Sequence, residues 1–420
     1  MFGKVGAARR DFLRPVLLTA VFASMFLSFM RADMGDSARL QAYSDEPKIY
    51  YRLARSNERG ILSDAGLLGF CENSLKGKER KVYSIAVYLE GRCPNYGAYE
   101  SQSGVQGLFY SLIDKFYKNP LIFRILCAAF LAAVLTAWFA WLCVYFDLIP
   151  SFLAMLSILS FRDLMSNGNN IAQVLGATYL IMVVMFWAYE KKIERLGVVA
   201  FSVVLLKLLL NGFEYIFSAL LLPFLPLVFY AIANGMPVRR TMRDLFSIAR
   251  GTALACLVSF LILTAQVSAV DSPTGAMHHF INRVTFRMSL DERRTRIGAT
   301  RLQVLSRFLS FHCLSIGHFD VSFGAMILFF SVVGILSYFL YRRFKDRALL
   351  ALLATTVASL LCPVSYILLA HGHAARESHD QLVWHMPFTL LGAALTVVTL
   401  KVWIGRRTLD DANHHTDTCL

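Results

Sequence analysis

Asp45 and Glu46 stand side by side in a polar stretch, RADMGDSARLQAYSDEPKIYYRLARSNERG, that precedes a long series of apolar runs. Neighbouring carboxylates are candidates for general acid–base work. Asp33 and Asp36, further upstream, compete for that role. The plainer reading of the same pair is structural. Pro47 suits the first turn of a helix, and acids at that end favour the helix dipole. Glu214 lies in LLLNGFEYIFSALLLPFLPL with Asn211 and Tyr215 beside it and Lys207 two turns earlier. Burying an ionisable group in such a setting is costly, which makes Glu214 a functional candidate, with a water-facing hairpin cap as the alternative.

Cations gather late in the chain. Residues 271–320 hold His278, His279 and seven arginines (283, 287, 293, 294, 296, 301, 307) without a lysine. Guanidinium is a planar fork that grips phosphate at two points. Arg283, Arg287, Arg293 and Arg294 are therefore suited to neutralising a leaving phosphate as charge develops on it. Gln102 and Gln106, in YESQSGVQGLFYSLID, offer a polar wall for a sugar, and Gly104 and Gly107 permit a tight turn beside them. His371 and His373, in HGHAARESHDQLVWHMPF, suit hydrogen bonding to a phosphate or sugar. Together with His379 and Asp380 they are too unspecific a pattern to indicate a metal, so neither metal nor cofactor is expected.

Most of the chain exists to position these groups within a membrane. Hydrophobic residues make up 56% of 420 and charged residues 17%, against roughly half and a quarter in an ordinary soluble domain. Apolar runs fall at 12–30, 121–145, 148–161, 171–189, 197–211, 213–234, 252–270, 322–341, 348–370 and 384–404. Most match the length needed to cross a hydrocarbon core of about 30 Å. The run at 148–161 is short, and Pro223, Pro226 and Pro387 are expected to kink their spans. With the N-terminus inside, the clusters at 4–14, 191–195, 239–250, 342–347 and 401–407 all fall on one side. The opposite short loops then hold only Arg162 and Arg376. This distribution is the positive-inside pattern, and it accounts for the net charge of +14 without a nucleic-acid partner.

The expected fold is an all-α polytopic integral membrane bundle of about ten spans with two external loops carrying amphipathic helices. Its organisation reads as 1–30 cytoplasmic N-terminus and first span, 31–118 first external loop, 119–270 middle spans, 271–320 Arg-rich second external loop, 321–404 C-terminal spans and 405–420 cytoplasmic tail. Both termini are then cytoplasmic, and a bacterial inner membrane is the expected location. Helical spacing of Leu40, Tyr43, Ile49, Tyr50, Leu53 and Ala54 predicts helices lying on the membrane surface. Ile297, Val304, Leu305, Phe308 and Leu309 predict another in the second loop. Cys71 and Cys93 both fall in the first loop and are free to bridge if it faces an oxidising compartment.

Asp45-Glu46 followed by Tyr50, Arg55 and Gly60 resembles the acidic motif of the GT-C superfamily of membrane glycosyltransferases, which includes protein mannosyltransferases and aminoarabinose transferases. The layout is also similar, with a long loop after the first span and a second external loop late in the chain. The sequence likeness covers about 16 residues, and Tyr50 lies one residue further from the acids than the family's aromatic. The resemblance implies a polyprenyl-phosphate-linked sugar donor, membrane lipid as surroundings and Asp45 as the base that contacts an acceptor hydroxyl. It specifies neither sugar nor acceptor. Three other functions fit the composition: a transporter or flippase of a lipid-linked or anionic solute, an O-antigen-type polymerase and a non-catalytic envelope assembly factor. Absence of an internal repeat, and polar residues gathered at one face, favour surface chemistry over translocation.

Overall fold

The computed structural model describes residues 2–31, 45–71, 77–93, 95–100, 102–288, 300–316, 319–376, 382–385 and 387–417. Every apolar run of the sequence becomes helical. In chain order the first elements are α1 (Phe2–Arg31), α2 (Glu46–Arg59), β1 (Gly69–Cys71), α3 (Gly77–Glu90), β2 (Tyr96–Ala98) and α4 (Val105–Asp114). The central bundle follows with α5 (Pro120–Phe146), α6 (Leu148–Ile158), α7 (Arg162–Asn167), α8 (Leu175–Glu190), α9 (Leu196–Asn211), α10 (Ile216–Leu221), α11 (Leu225–Ala233) and α12 (Val238–Val270). The last third comprises α13 (Pro273–Met288), α14 (Arg301–Ser310), β3 (His312–Ile316), β4 (Phe319–Ser322), α15 (Phe323–Phe344), α16 (Arg347–Ser359), α17 (Leu361–Leu369), α18 (His371–Arg376), α19 (Leu382–His385) and α20 (Phe388–Asp417). The strands form two short antiparallel pairs, β1 with β2 and β3 with β4.

Among the described residues, six helical stretches are long and apolar enough to cross a bilayer: Pro120–Phe146, Ile216–Ala233, Val238–Val270, Phe323–Phe344, Arg347–Leu369 and Phe388–Gly405. They mark an integral membrane protein. Pro15–Arg31, Leu148–Ile158, Leu175–Glu190 and Leu196–Asn211 are shorter apolar helices. Proline chemistry sets the breaks. Pro223 sits in a 3-10 turn, Leu222–Phe224, between α10 and α11. Pro387 does not kink α20 from within: it precedes the helix and accepts from Leu391 N, a position where its missing N–H costs nothing. The interior between the two ends is aromatic. Trp138, Trp141, Phe186, Phe229 and Tyr230 pack ring to ring, with Trp141 and Phe186 centroids 4.1 Å apart.

The described residues between 45 and 114 pack around α2 and share a hydrophobic core with Phe123 and Cys127 of α5 and with Val174 and Ala177 at the start of α8. The sequence predicts a surface-lying helix, but α2 is buried around most of its circumference, by α3, α4 and β1. Ile49, Tyr50, Tyr51 and Leu53 are all shielded from solvent, and each contributes about 1.5–3 kcal/mol by leaving water. Arg52 is buried too. It donates to Ser63 O at 2.7 Å and to Ile61 O, so its charge holds the turn after α2. Arg55 donates to Asp64 at 2.7 Å. A disulfide joins Cys71 to Cys93 with Cα atoms 5.6 Å apart, tying the β1 edge to the end of α3. Gly104 permits close approach rather than an unusual turn. Its φ is ordinary, but a Cβ there would stand 2.0 Å from Gly66 O.

Candidate functional site

Asp45 occupies the N-cap position of α2, with Pro47 in the first turn as the sequence predicts. Its carboxylate makes no capping hydrogen bond, however, and turns instead to Lys48 Nζ at 2.5 Å. Lys48 is held over the Tyr99 ring, 4.0 Å from its centroid. Burial alone would lower the Lys48 pKa; Asp45, Tyr99 and Glu214 outweigh it and raise the value above that of an ordinary lysine. Asp45, Lys48, Gln102, Gln173 and Glu214 line one small polar pocket of about 20 Å3, with Ile49, Leu68 and Ala172. That is room for about one water molecule. Gln173 is 8% exposed and its Oε1 has no hydrogen-bond partner, leaving a buried acceptor at the pocket wall.

Glu46, one residue on, goes elsewhere. It is fully buried, between Arg124 Nη2 at 2.5 Å and Lys81 Nζ at 2.9 Å. Arg124 belongs to the first turns of α5 and Lys81 to α3, so this carboxylate clamps α2 and α3 to the bundle. Burial, then the Glu46 charge, push the phenol of Tyr50 up to about 12, against an opposing effect from Arg124. Successive residues on a helix point about 100° apart. That angle separates a carboxylate at a pocket from one inside a clamp.

Glu214 sits where α9 ends and the chain reverses. Gly212 supplies a positive φ of 57°, and its α-carbon passes against Gln102 so closely that a Cβ would meet the side chain at 2.7 Å. Lys207 is buried and donates to the main-chain oxygens of Gly212, at 3.2 Å, and of Glu214. It thus satisfies carbonyls at the end of α9. The Glu214 carboxylate meets His373 Nε2 at 3.1 Å. His373 lines a second, larger cavity of about 420 Å3 whose walls are almost wholly apolar. Phe217, Leu263, Phe280 and Tyr366, from α10, α12, α13 and α17, are among its lining residues, with Phe213 from the turn before α10. The Glu214–His373 contact is the seam between the polar pocket and this apolar cavity. Tyr215, at φ 49°, also lines the cavity; its buried hydroxyl has no hydrogen-bond partner.

The remaining predicted groups separate. Gln106 is buried and donates to Ile171 O at 2.6 Å, so it anchors α4; Gln102 donates to Gln106 at 3.1 Å and reaches the pocket. His371 is buried at the start of α18 and lines neither of these cavities. Arg283 and Arg287 lie on α13, the helix that contributes Ala276, Phe280 and Val284 to the apolar cavity; their side chains are outside the described residues. Asp33, Asp36, Arg293, Arg294, His379 and Asp380 lie outside them altogether. In the second loop α14 forms with Thr300 and Gln303 as a capping box and buries Val304 and Phe308. Among the described residues no three His, Cys, Asp or Glu groups are placed to hold a metal ion.

Sequence reasoning passed over Lys48, Gln173, Lys81 and Arg124. Two of these carried a signal. Lys48 follows Asp45 by three residues, the spacing of a helical ion pair. Arg124 is a charge inside an otherwise apolar run, which calls for a buried partner. No protein-family model, curated protein or solved structure matches the chain.

Proposed function

We propose that the chain is a membrane glycosyltransferase of about ten spans, with both termini in the cytoplasm of a bacterial inner membrane, that moves a sugar from a polyprenyl-phosphate carrier to an acceptor on the external face. The observation that carries this reading is the seam at Glu214 and His373. On one side is an apolar cavity of about 420 Å3, and on the other a polar pocket that contains Asp45. A lipid-linked sugar needs both surroundings within one molecule's reach: apolar walls for the isoprenoid and charged groups for the sugar phosphate. The resemblance of Asp45-Glu46, Tyr50, Arg55 and Gly60 to the GT-C acidic motif supports the same reading.

In the proposed reaction the Asp45 carboxylate takes the proton of the acceptor hydroxyl. The acceptor oxygen bonds to the anomeric carbon, the bond from that carbon to the phosphate oxygen breaks, and its electron pair leaves with the polyprenyl phosphate. Lys48, whose raised pKa keeps it charged, orients Asp45. A sugar exceeds the one-water volume of the pocket and is assigned to its mouth, where Gln102, Gln173 and Glu214 offer hydrogen bonds to its hydroxyls, with His373 and Tyr215 nearer the lipid. Arg283, Arg287, Arg293 and Arg294 are assigned to the leaving phosphate. Glu46 serves this chemistry only by holding α2 in place, and Asp36 remains a second candidate for the base. The aromatic packing of Trp138, Trp141, Phe186 and Phe229 between the two ends of the bundle supports surface transfer over a polar translocation path.

The test supplies radiolabelled polyprenyl-phosphate sugars and a membrane extract as acceptor to purified protein in liposomes. Asp45→Asn is expected to lower transfer by about 10²–10⁴-fold, the usual contribution of a general base, while leaving the amount of inserted protein unchanged. Wild-type rates in that variant would refute the assignment.

A further inference from the structure

The end of the bundle remote from Asp45 carries a second constellation of charge. α8 begins beside the polar pocket at Gln173 and ends at Tyr189, so its 16 residues separate the two by about 24 Å. There the end of α8, the short loop to α9 and the start of α12 enclose a cavity of about 1240 Å3. Lys192, Arg195, Arg239, Arg240 and Arg243 line it. Two acids, Glu194 and Asp244, line it too, and the contact of Arg243 with Asp244 is long at 3.4 Å. Five cations against two acids leave a positive excess. The first turns of α9 and α12 both border the cavity; in α9 the Gly197 N–H donates to Ser247 Oγ at 3.1 Å, whereas the start of α12 has no side-chain cap. Unpaired N–H groups at the start of α12 add to the attraction for an anion.

A neutral group distinguishes this cavity from a loop that is merely basic. Tyr189 lines it, is 8% exposed, and has a hydroxyl with no hydrogen-bond partner. Its ring is fixed by stacking on Tyr230 at 5.1 Å. The walls are fixed as well, because α9 and α12 touch backbone to backbone: a Cβ on Gly251 would stand 2.0 Å from Gly197 O. Along α12, Val238, Met242 and Phe246 recur every four residues and are 79%, 41% and 67% exposed, next to Arg239 and Arg243. That stripe offers acyl chains a surface directly continuous with the cationic cavity.

We infer that this cavity binds the phosphate of an anionic membrane lipid, with the Tyr189 hydroxyl donating to a phosphate oxygen and the α12 stripe holding the tails. The inference does not depend on the transferase reading, since none of these residues belongs to the Asp45 pocket.

The experiment uses full-length protein in nanodiscs containing phosphatidylglycerol or only phosphatidylcholine, with retained lipid counted by native mass spectrometry. A single phosphatidylglycerol per chain is expected to survive delipidation. Arg239→Gln/Arg240→Gln is expected to weaken retention by about thirtyfold, from one cationic contribution lost per residue. Tyr189→Phe is expected to weaken it about tenfold or more, for one lost hydrogen bond to a charged group. The pair Arg342→Gln/Lys345→Gln, in the basic cluster at the end of α15, is expected to change nothing. Equal loss in that control pair, or full retention in Tyr189→Phe, overturns the site in favour of diffuse surface charge. Displacement by millimolar inorganic phosphate, with no dependence on acyl chains, overturns the lipid assignment in favour of a soluble anion.

Discussion

Asp45 and Glu46 have the same chemistry and adjacent positions, yet they inhabit two different regions. The Asp45 region is a polar pocket whose carboxylate is one-third exposed, has a single salt-bridge partner and shares its walls with Glu214, Gln102 and Gln173. The Glu46 region is a closed clamp with two cations from two different helices and no exposure. A partly hydrated acid with one partner remains available to a ligand. A fully buried acid whose charge is met by two cations has its electrostatic role filled, and removing it strands those cations. The pair therefore divides labour between chemistry and architecture, and the difference is open to direct test.

The largest expected contrast is in stability. Glu46→Ala leaves Arg124 and Lys81 without their acid and is expected to cost about 3–5 kcal/mol, whereas Asp45→Ala removes one hydrogen bond from Lys48, which still faces Glu214, and is expected to cost about 1.5–3 kcal/mol. Thermal unfolding in one detergent measures both, and equal losses would erase the distinction. Next is the Cys71–Cys93 bridge, which closes a 22-residue separation and secures the end of α3, the helix that brings Lys81 to the clamp. Cys71→Ser/Cys93→Ser is expected to cost about 3 kcal/mol, with transfer activity per folded molecule retained. Gly104→Ala forces a Cβ against Gly66 O and is expected to cost about 1–3 kcal/mol. Because Gln102 lies two residues before Gly104, that variant is expected to weaken sugar binding, read as a rise in KM, while Glu46→Gln leaves the KM of the folded fraction unchanged.

The smallest effect is the pH dependence of the Asp45 region. Lys48 has a raised pKa on folding, so its contribution to stability is whole below its ordinary value of 10.5 and is lost as pH rises past that toward the raised one. The stability difference between wild type and Lys48→Met is therefore expected to stay level between about pH 6 and 9 and to shrink above about 10.5. Scanning both proteins by calorimetry checks this. A difference that falls away below neutrality would mean that another group sustains the pocket.

Much of the architecture could be read from periodicity and composition. The apolar runs at 121–145 and 322–341 map onto α5 and α15 within a few residues, because a long stretch with at most one charge has no alternative to helix in a bilayer. Boundaries were less legible where backbone geometry decides them. The run at 213–234 begins as helix only at Ile216, since the chain must first reverse through Gly212 and Tyr215 at positive φ. The first loop hid its compactness altogether. Arg52 and Arg55 read as the wet face of a surface helix, but carbonyls of Ser63 and Ile61 and the carboxylate of Asp64 take them in.

What the sequence determined by itself was the solvent each segment needs: apolar runs too long to hide in water, basic clusters between them, and acids and arginines gathered in the polar stretches. Which acid faces a pocket was settled only in three dimensions. Residue types at 45 and 46 are interchangeable as chemistry; their surroundings come from α3, α5, α4 and the turn before α10, segments distant along the chain. Electrostatic role depends on neighbours within a few ångströms, and the linear order of residues does not contain those distances.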